Sequence, residues 1–511
     1  MKILHEHNAE SDVILVWGWI MSATLWVFLK LLEPDLQIHI FERSDAVWYE
    51  SSDALNNAGT GHSALCELNY TPLVNGEIDT TKADAIVEKF EQSKQFWASL
   101  VQQWFFPHGN DFINRVPHMS LVFGDDVEFL KKRREAMSKN PLFSGTEFTT
   151  DVQKLTERFP LMMKWRDTDQ AVAGTRNELW TDVNFGQLTR DMFDYLNEDP
   201  HVHIHLHQEI IDLHQKDKNH RELTIKDYAW AGNNTRKMSA WFVFLWSGWM
   251  AIPLLAKSWI EGGKKYWGFP VDGQRLICNN PEIVNQHHGK VYGKAWVWAP
   301  PMSVPHLDTR VIDGRRSLLF GPYAWFTTKF LKKGNRYDLF ASLHLKNIIP
   351  MMQVGLKNRP LTKYLIWQIV QSKDDRLNAL REYYPEAKAE DRYREHAGKR
   401  VQIIKDDEEQ WWVLQFWTEV VVSQDKSLAA LLWASPWAST SVSIILELLW
   451  SSFPEQMKSQ KRINTIKTLI PSYGTQLRDD KELAEKIRKN SHEILWLSKE
   501  AFEAKEHWTY E

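Results

Sequence analysis

Cysteine is almost absent. Cys66 and Cys278 are the two thiols among 511 residues, they lie far apart, and neither belongs to a CxxC pair. That argues against a disulfide framework and a structural zinc site, and it fits a reducing compartment. No metal is expected. An excess of positive charge is also missing: the formal net charge of −4 leaves no broad basic surface, so nucleic acid is not an expected partner. Glycine is scarce at 23 residues, below the share of about 7% usual in globular proteins. Repeats and long low-complexity linkers are lacking. What remains is 43% hydrophobic and 25% charged, an ordinary globular composition in a chain long enough for two domains.

Long apolar runs are missing apart from one. Val13 to Leu29 is uncharged and brushes the lower length of a membrane span. It divides better into a short buried strand, Val13 to Val16, a turn, and a helix from Ile20. A second strand, Gln37 to Phe41, then returns and ends in Glu42. No signal-peptide cleavage pattern accompanies it. In a nucleotide-binding fold this turn wants glycine, because the backbone bends sharply and lies against a pyrophosphate. Here it reads Trp17-Gly18-Trp19.

Tryptophan is what the chain has in excess: 26 residues, more than its glycines. Several stand where turn chemistry asks for glycine, among them Trp246 and Trp249 in LWSGWMAIP, Trp325 in GPYAWFTTK, and Trp433 and Trp437 in LLWASPWAST. The surplus of one residue mirrors the deficit of the other.

Six blocks carry a resemblance. They are SSDALNNAGTGHSALCELNYTP (Ser51 to Pro72), TDVNFGQLTR (Thr181 to Arg190), KVYGKAWVWAPPMSVPHLDTR (Lys290 to Arg310), SLLFGPYAWF (Ser317 to Phe326), RVQIIKDD (Arg400 to Asp407) and LLWASPWAST (Leu431 to Thr440). In this order, from about Asp12 to about Lys486, the chain closely resembles the malate:quinone oxidoreductases. The resemblance implies FAD as cofactor, malate and quinone as substrates, and oxaloacetate as product. It also implies peripheral association with a membrane, on the inner face of the cell membrane of a cytoplasmic protein. Departures from the family run in one direction: it carries glycine at the positions of Trp17, Trp19, Trp246, Trp249, Trp433 and Trp437. Trp165, Trp180, Trp298, Trp325 and Trp417 look like further cases, whereas Trp97 matches a family tryptophan.

Two readings of these positions compete. If the indoles are real, those forced to positive φ cost about 1–2 kcal/mol each, and they fill the space a pyrophosphate needs. Alternatively, the native lineage reads UGA as glycine and the sequence was translated with UGA as tryptophan. Returning about 20 tryptophans to glycine would restore a normal glycine share, which favours the second reading.

The implied fold class is α/β: a Rossmann-like FAD-binding domain with an interleaved α+β substrate domain. Residues 10–75, 180–260 and 400–450 are assigned to the first, 76–179 and 261–399 to the second, and 454–511 to C-terminal helices. For the glycine form, Trp17, Gly18, Trp19 and Ser22 mark the dinucleotide turn, with Glu42 at the spacing of a ribose-binding carboxylate. The polar loop with Asn57, Gly59, Thr60 and Gly61 suits close approach to the flavin ring. Trp246, Gly248, Trp433, Ser435 and Trp437 mark further cofactor contacts, the last three in a turn that opens a helix near Ala438. Malate's two carboxylates call for a bidentate cation, and its hydroxyl for a base. Arg310 is the candidate clamp, and His62 or His306 the candidate base.

Other features read as structural. His201, His203, His205 and His207 alternate on one strand face and read as solvated, as do His287 and His288. The run Lys131 to Arg134 reads as a water-facing helix start. Beside malate oxidation stand two alternatives: another flavin-dependent 2-hydroxy acid dehydrogenase or oxidase, and, if the tryptophans are real, a non-catalytic Trp-rich protein.

Overall fold

The computed structural model describes residues 10–498 except 104, 107, 167–168, 230–233, 247–250, 261–262, 295–305, 333, 343–351, 408–410, 416–418 and 433–436. Val13 to Val16 are fully buried in strand β1 (Glu10–Val16), as an apolar run covered on both faces must be. Helix α1 (Ile20–Leu32) is buried at every position but Leu31, so it is a core helix. Among the described residues no helix is long and apolar enough to cross a membrane.

Strand β2 (Ile38–Phe41) runs parallel to β1, with Val13 opposite Ile38 and Val16 opposite Phe41. Strand β3 (Val202–His205) lies parallel outside β2. Strands β4 (Gln208–Gln215) and β5 (Arg221–Asp227) form an antiparallel ribbon along the first half of β6 (Thr235–Leu245), whose other side pairs in parallel with β1. Strand β7 (Glu419–Val422) edges β8 (Leu428–Leu432), which runs parallel to the second half of β6. The parallel order β3-β2-β1-β6-β8 makes a Rossmann-like core.

A second, mostly antiparallel sheet places Trp411–Gln415, Arg400–Asp407, Tyr266–Cys278, Arg315–Phe326, His306–Ile312, Lys290–Tyr292, His118–Phe123, Val172–Asn177 and Glu147–Thr149 side by side. This corrects one boundary, and helix Thr81–Gln102, grouped with the substrate segments, corrects another, because Val87, Phe90 and Trp97 are buried in the core of the parallel sheet. Residues 400–415 were grouped with the cofactor segments, but Arg400–Asp407 pairs with Tyr266–Cys278, and Ile404 packs with Val271, Ala324 and Leu414 in the second sheet's core. The first sheet resumes at Glu419.

Helices α2 (Thr81–Gln102), α3 (Phe185–Asn197), α4 (Ser441–Ser452) and α5 (Lys481–Ile494) enclose the parallel sheet: α3 packs on α1, and both α4 and α5 pack on α2. The C-terminal stretch from residue 454 also holds helices Pro454–Met457 and Gln460–Leu469. Within α2, Trp97 is fully buried and meets Phe90, Phe112 and Phe185 edge-on.

Between α2 and α5, buried Glu91 pairs with Lys94 Nζ at 2.9 Å and Arg488 Nη2 at 3.0 Å. Burial raises its carboxyl, but Lys94 and Arg488 outweigh that and hold it down to about 2. A carboxylate depressed in the folded state contributes stability that is full above its ordinary value of 4.5 and is lost as pH falls toward 2. Thermal melts at pH 7 and pH 3 are therefore expected to differ less in Glu91→Gln than in the parent; equal differences would contradict this.

Three surface readings are corrected by burial. His203 and His205 are half-buried rather than solvated: His205 stacks on His39, whose Nδ1 lies 2.9 Å from His205 Nε2, and the His203 ring lies tilted against His39. Burial and the neighbouring charges push His39 and His205 down to about 3, so this column is neutral. His207 leaves the strand at φ 57°. His287 is buried, its Nε2 3.2 Å from the Leu307 carbonyl, and His288 is half-buried. Lys131 to Arg134 lie in mid-helix (Asp126–Met137), and Arg133 points inward. The helix placed near Ala438 starts at Ser441, after a short 3-10 turn, Trp437–Thr440.

Candidate active site

The carboxyl ends of β1, β2 and β6 converge on one turn, the place where parallel sheets of this kind hold their ligands. Trp17 stands there at φ 79°, a left-handed conformation that suits glycine, and its N–H donates to the Phe41 carbonyl at 2.9 Å. Trp19 is the extended residue before α1. Glu42, buried at the end of β2, accepts from the N–H of Gly18 at 3.0 Å and of Ser44 at 2.8 Å. Burial raises its carboxyl despite these donors. The Ile20 N–H at the start of α1 donates to Ser52 Oγ at 3.0 Å, and Ser22 is buried within the first turn. Trp246, at the end of β6, donates from its N–H to the Val16 carbonyl at 3.4 Å.

Shortly after Ser52, which holds the start of α1, comes the loop 54–62. Asn57 pins its own approach: Nδ2 donates to the carbonyls of Ser51, Ser52 and Asp53, and Oδ1 accepts from the Gly59 N–H at 2.9 Å. Gly59 and Gly61 then run alongside 181–183, with Val183 N–H to Gly59 O at 2.7 Å and Gly61 N–H to Thr181 O at 3.1 Å. Glycine is required at both. A Cβ on Gly59 would lie 2.3 Å from Arg310 Cζ, and one on Gly61 2.0 Å from Thr181 Oγ1.

Arg310 is behind this loop, not open to a substrate. It is fully buried; Nη1 donates to Ala54 O and Asn57 O at 2.7 Å, Nη2 donates to Val183 O at 3.3 Å, and Nε pairs with Asp182 at 2.7 Å. The reading of Arg310 as the malate clamp is thus corrected: its fork is consumed in holding main chain. The same backing layer contains Lys290, whose Nζ lies 2.8 Å from Asp182 Oδ1 and donates to Ala58 O at 2.9 Å.

His306, Asp308 and Arg310 alternate along strand His306–Ile312 and so share one face. His306 Nδ1 lies 2.8 Å from Asp308 Oδ2, and its ring stacks on Tyr292 at 4.4 Å. Burial alone would raise Asp308, but His306 and Lys290 hold it below the ordinary carboxylate range. Thr60 Oγ1 reaches the Tyr292 hydroxyl at 3.4 Å, tying loop to layer. Period-2 spacing in HLDTR was the signal that could have revealed Asp308. For Asp182 and Lys290 the sequence offered only their membership in the quoted blocks.

His62 ends the loop, buried, with Nε2 3.5 Å from Glu67 Oε1. Burial would raise Glu67, but the hydrogen bond and charge of His62, with a further bond from Tyr70, bring it below its usual value. Next to it Ser63 Oγ meets His118 Nδ1 at 2.7 Å, and Arg133 anchors the far flank through Ala64 O and Thr71 Oγ1. The first turns of α1 and α4 meet, with Thr24 Oγ1 3.3 Å from Ser441 Oγ. Gly248, Trp249, Trp298, Trp417, Trp433 and Ser435 lie outside the described residues. So Trp17, Gly18, Trp19, Ser22, Glu42 and Trp246 form one group, and Asn57, Gly59, Thr60, Gly61, His62, His306 and Arg310 another.

An FAD pyrophosphate needs bare main chain at a helix N-terminus. The indoles of Trp17 and Trp19 are buried at that turn instead, edge to face at 5.4 Å. These side chains do not fit the cofactor, whereas the backbone beneath them does, since its positive φ at 17 and its exit into α1 are those of a glycine turn.

Two solved structures share this architecture: a glycine oxidase from Geobacillus kaustophilus (TM-score 0.55, 13% identity, 87% of this chain and 95% of that one) and an L-alpha-glycerophosphate oxidase from Mycoplasma pneumoniae with FAD bound (TM-score 0.53, 13% identity, 86% and 94%). At that identity they establish the fold. Sequence establishes more. A probable malate:quinone oxidoreductase of Flavobacterium psychrophilum is 50% identical over 490 residues, 96% of this chain and 98% of its own length. One of Sodalis glossinidius is 47% identical over 96% and 91%. The family described as Malate:quinone oxidoreductase matches residues 9–497, which takes in the turn, the loop, the buried ionic layer and both helix starts together. With its parallel sheet and glycine-shaped turn, the chain belongs to the malate:quinone oxidoreductase family.

Proposed function

We propose that this protein oxidises malate to oxaloacetate and delivers the electrons to quinone, with FAD as the redox cofactor of the form that carries glycine at positions 17 and 19. The observation that carries the reading is the family match across residues 9–497. The FAD-binding unit is the parallel sheet with its helices, and the substrate unit is the second sheet. Ser22, Glu42, Asn57, Gly59, Thr60 and Gly61 are the cofactor-facing positions, and the protein rests peripherally on the inner face of the cell membrane.

His62 is the base that takes the malate hydroxyl proton at its imidazole. Its partner Glu67, at 3.5 Å, is a positioning residue that fixes the ring and stabilises the imidazolium. His306 belongs instead to the strand face it shares with Asp308 and Arg310, the layer that backs the cofactor-facing loop, whereas His62 ends that loop itself. In the glycine form His62→Gln is therefore expected to lower kcat by about 10²–10⁴-fold with flavin content unchanged. His306→Gln is expected to act mainly on stability. If His306→Gln alone gives the large kcat loss, the roles are reversed.

Turnover of malate, lactate and 2-hydroxyglutarate, each with a quinone analogue or oxygen as acceptor, tests the substrate assignment. Preference for lactate, or for oxygen, would overturn it. Sedimentation with anionic lipid vesicles tests the membrane association.

A further inference from the structure

Among the described residues eleven side-chain-bearing positions have positive φ, and five of them are tryptophan: Trp17, Trp48, Trp165, Trp259 and Trp496, at 79°, 70°, 61°, 60° and 59°. A bulky side chain is a true outlier in that region. Asn75 and Asp313, also on this roster, have short polar side chains that tolerate it. Tryptophan has no such excuse.

Three of the five follow a helix by one turn residue, the position glycine favours most. Trp165 succeeds the C-cap Lys164 of helix Pro160–Met163, and Trp259 comes two residues after helix Ala251–Lys257. Trp496 succeeds the C-cap Leu495 of α5. There the Leu497 N–H donates to His492 O at 2.8 Å and the Trp496 N–H to Glu493 O at 3.3 Å, the paired bonds of a Schellman motif. Their indoles stay largely in solvent: Trp165 is 79% exposed, Trp259 78% and Trp496 54%. The remaining two flank the first crossover, where the Trp48 N–H donates to Gly18 O at 2.7 Å.

Other tryptophans behave as tryptophans do. Trp241 in β6 donates Nε1–H to Asp12 Oδ1 at 3.2 Å, Trp450 in α4 donates to the Tyr473 hydroxyl at 2.6 Å, and Trp97 fills an aromatic core. They sit inside regular helices and strands, none of the three at positive φ.

We infer that residues 17, 48, 165, 259 and 496 are glycine in the polypeptide made by the native host, where a codon translated here as tryptophan is read as glycine. Positions 48, 259 and 496 are assigned by backbone geometry alone. The inference rests on dihedral angles and helix ends and is independent of the malate reading, so the two fail separately.

Tandem mass spectrometry of peptides from the native protein decides it. Glycine is expected at 48, 259 and 496, with tryptophan at 97, 241 and 450; tryptophan at 259 and 496 would overturn the assignment. A second measurement uses recombinant chain. Trp496→Gly should raise the ratio of folded to unfolded protein roughly 5–30-fold, the value of removing one left-handed strain, and Trp450→Gly should lower it. A fall with Trp496→Gly also overturns the assignment.

Discussion

Protein carrying Trp17→Gly, Trp19→Gly, Trp246→Gly, Trp249→Gly, Trp433→Gly and Trp437→Gly is expected to purify yellow, with the visible band of oxidised flavin. Leaving tryptophan at 17 and 19 in that background is expected to remove the band. The reason is steric before it is energetic. The strain at φ 79° is about 1–2 kcal/mol, which a folded domain can survive. Exclusion of the pyrophosphate is not graded in the same way. Both indoles are buried at the start of α1, with Trp17 1% and Trp19 3% exposed, so a ligand cannot displace them into solvent without opening the crossover. The helix amides and dipole that would hold two phosphates then have nothing to hold. Visible absorbance after gel filtration with added FAD reads the outcome. Flavin retained with both indoles present would refute the steric argument.

The second large effect is expected at Asp182. Asp182→Asn should destabilise the protein by about 3–5 kcal/mol, the usual consequence of leaving buried charge without its counter-ion. Asp182 faces two buried cations, Arg310 at 2.7 Å and Lys290 at 2.8 Å, and also accepts from the Val311 N–H at 2.8 Å. Asparagine keeps the size and one acceptor but takes the carboxylate from Arg310 and leaves Lys290 with Asp308 alone, at 3.9 Å. The denaturant midpoint of the glycine form measures this. A second change, Lys290→Met, should restore part of the loss. A single-variant loss below about 1 kcal/mol would mean that the layer is not held by charge.

Much of the first sheet was legible because its code is local. The run Val13 to Val16, the helical period from Ile20 and the returning strand that ends in Glu42 each declare themselves within a few residues, and they pair as read. The site was legible as a set of residues and less so as roles. His306 and Arg310 stand four apart in sequence, which fits a pocket equally well as a backing layer. Only the neighbouring main chain at Ala54, Asn57 and Val183 decides that the guanidinium is consumed. Arg133 and His287 were misread for a related reason. Charge and polarity suggest exposure, but burial depends on which distant element covers the residue. Strand Arg400–Asp407 shows the same limit, since period identifies a strand and not its sheet.

The parallel sheet has a consequence for how the molecule is made. Val13 in β1 pairs with Phe242 in β6, and Val243 in turn pairs with Leu428 in β8. On the ribosome, therefore, the apolar strand and the largely buried α1 emerge before partners encoded hundreds of residues later. At about 5–20 residues per second that interval is roughly 20–80 s. Throughout it the nascent chain carries an uncovered hydrophobic segment, so its biosynthesis depends on chaperone capacity more than on the speed of any late folding step.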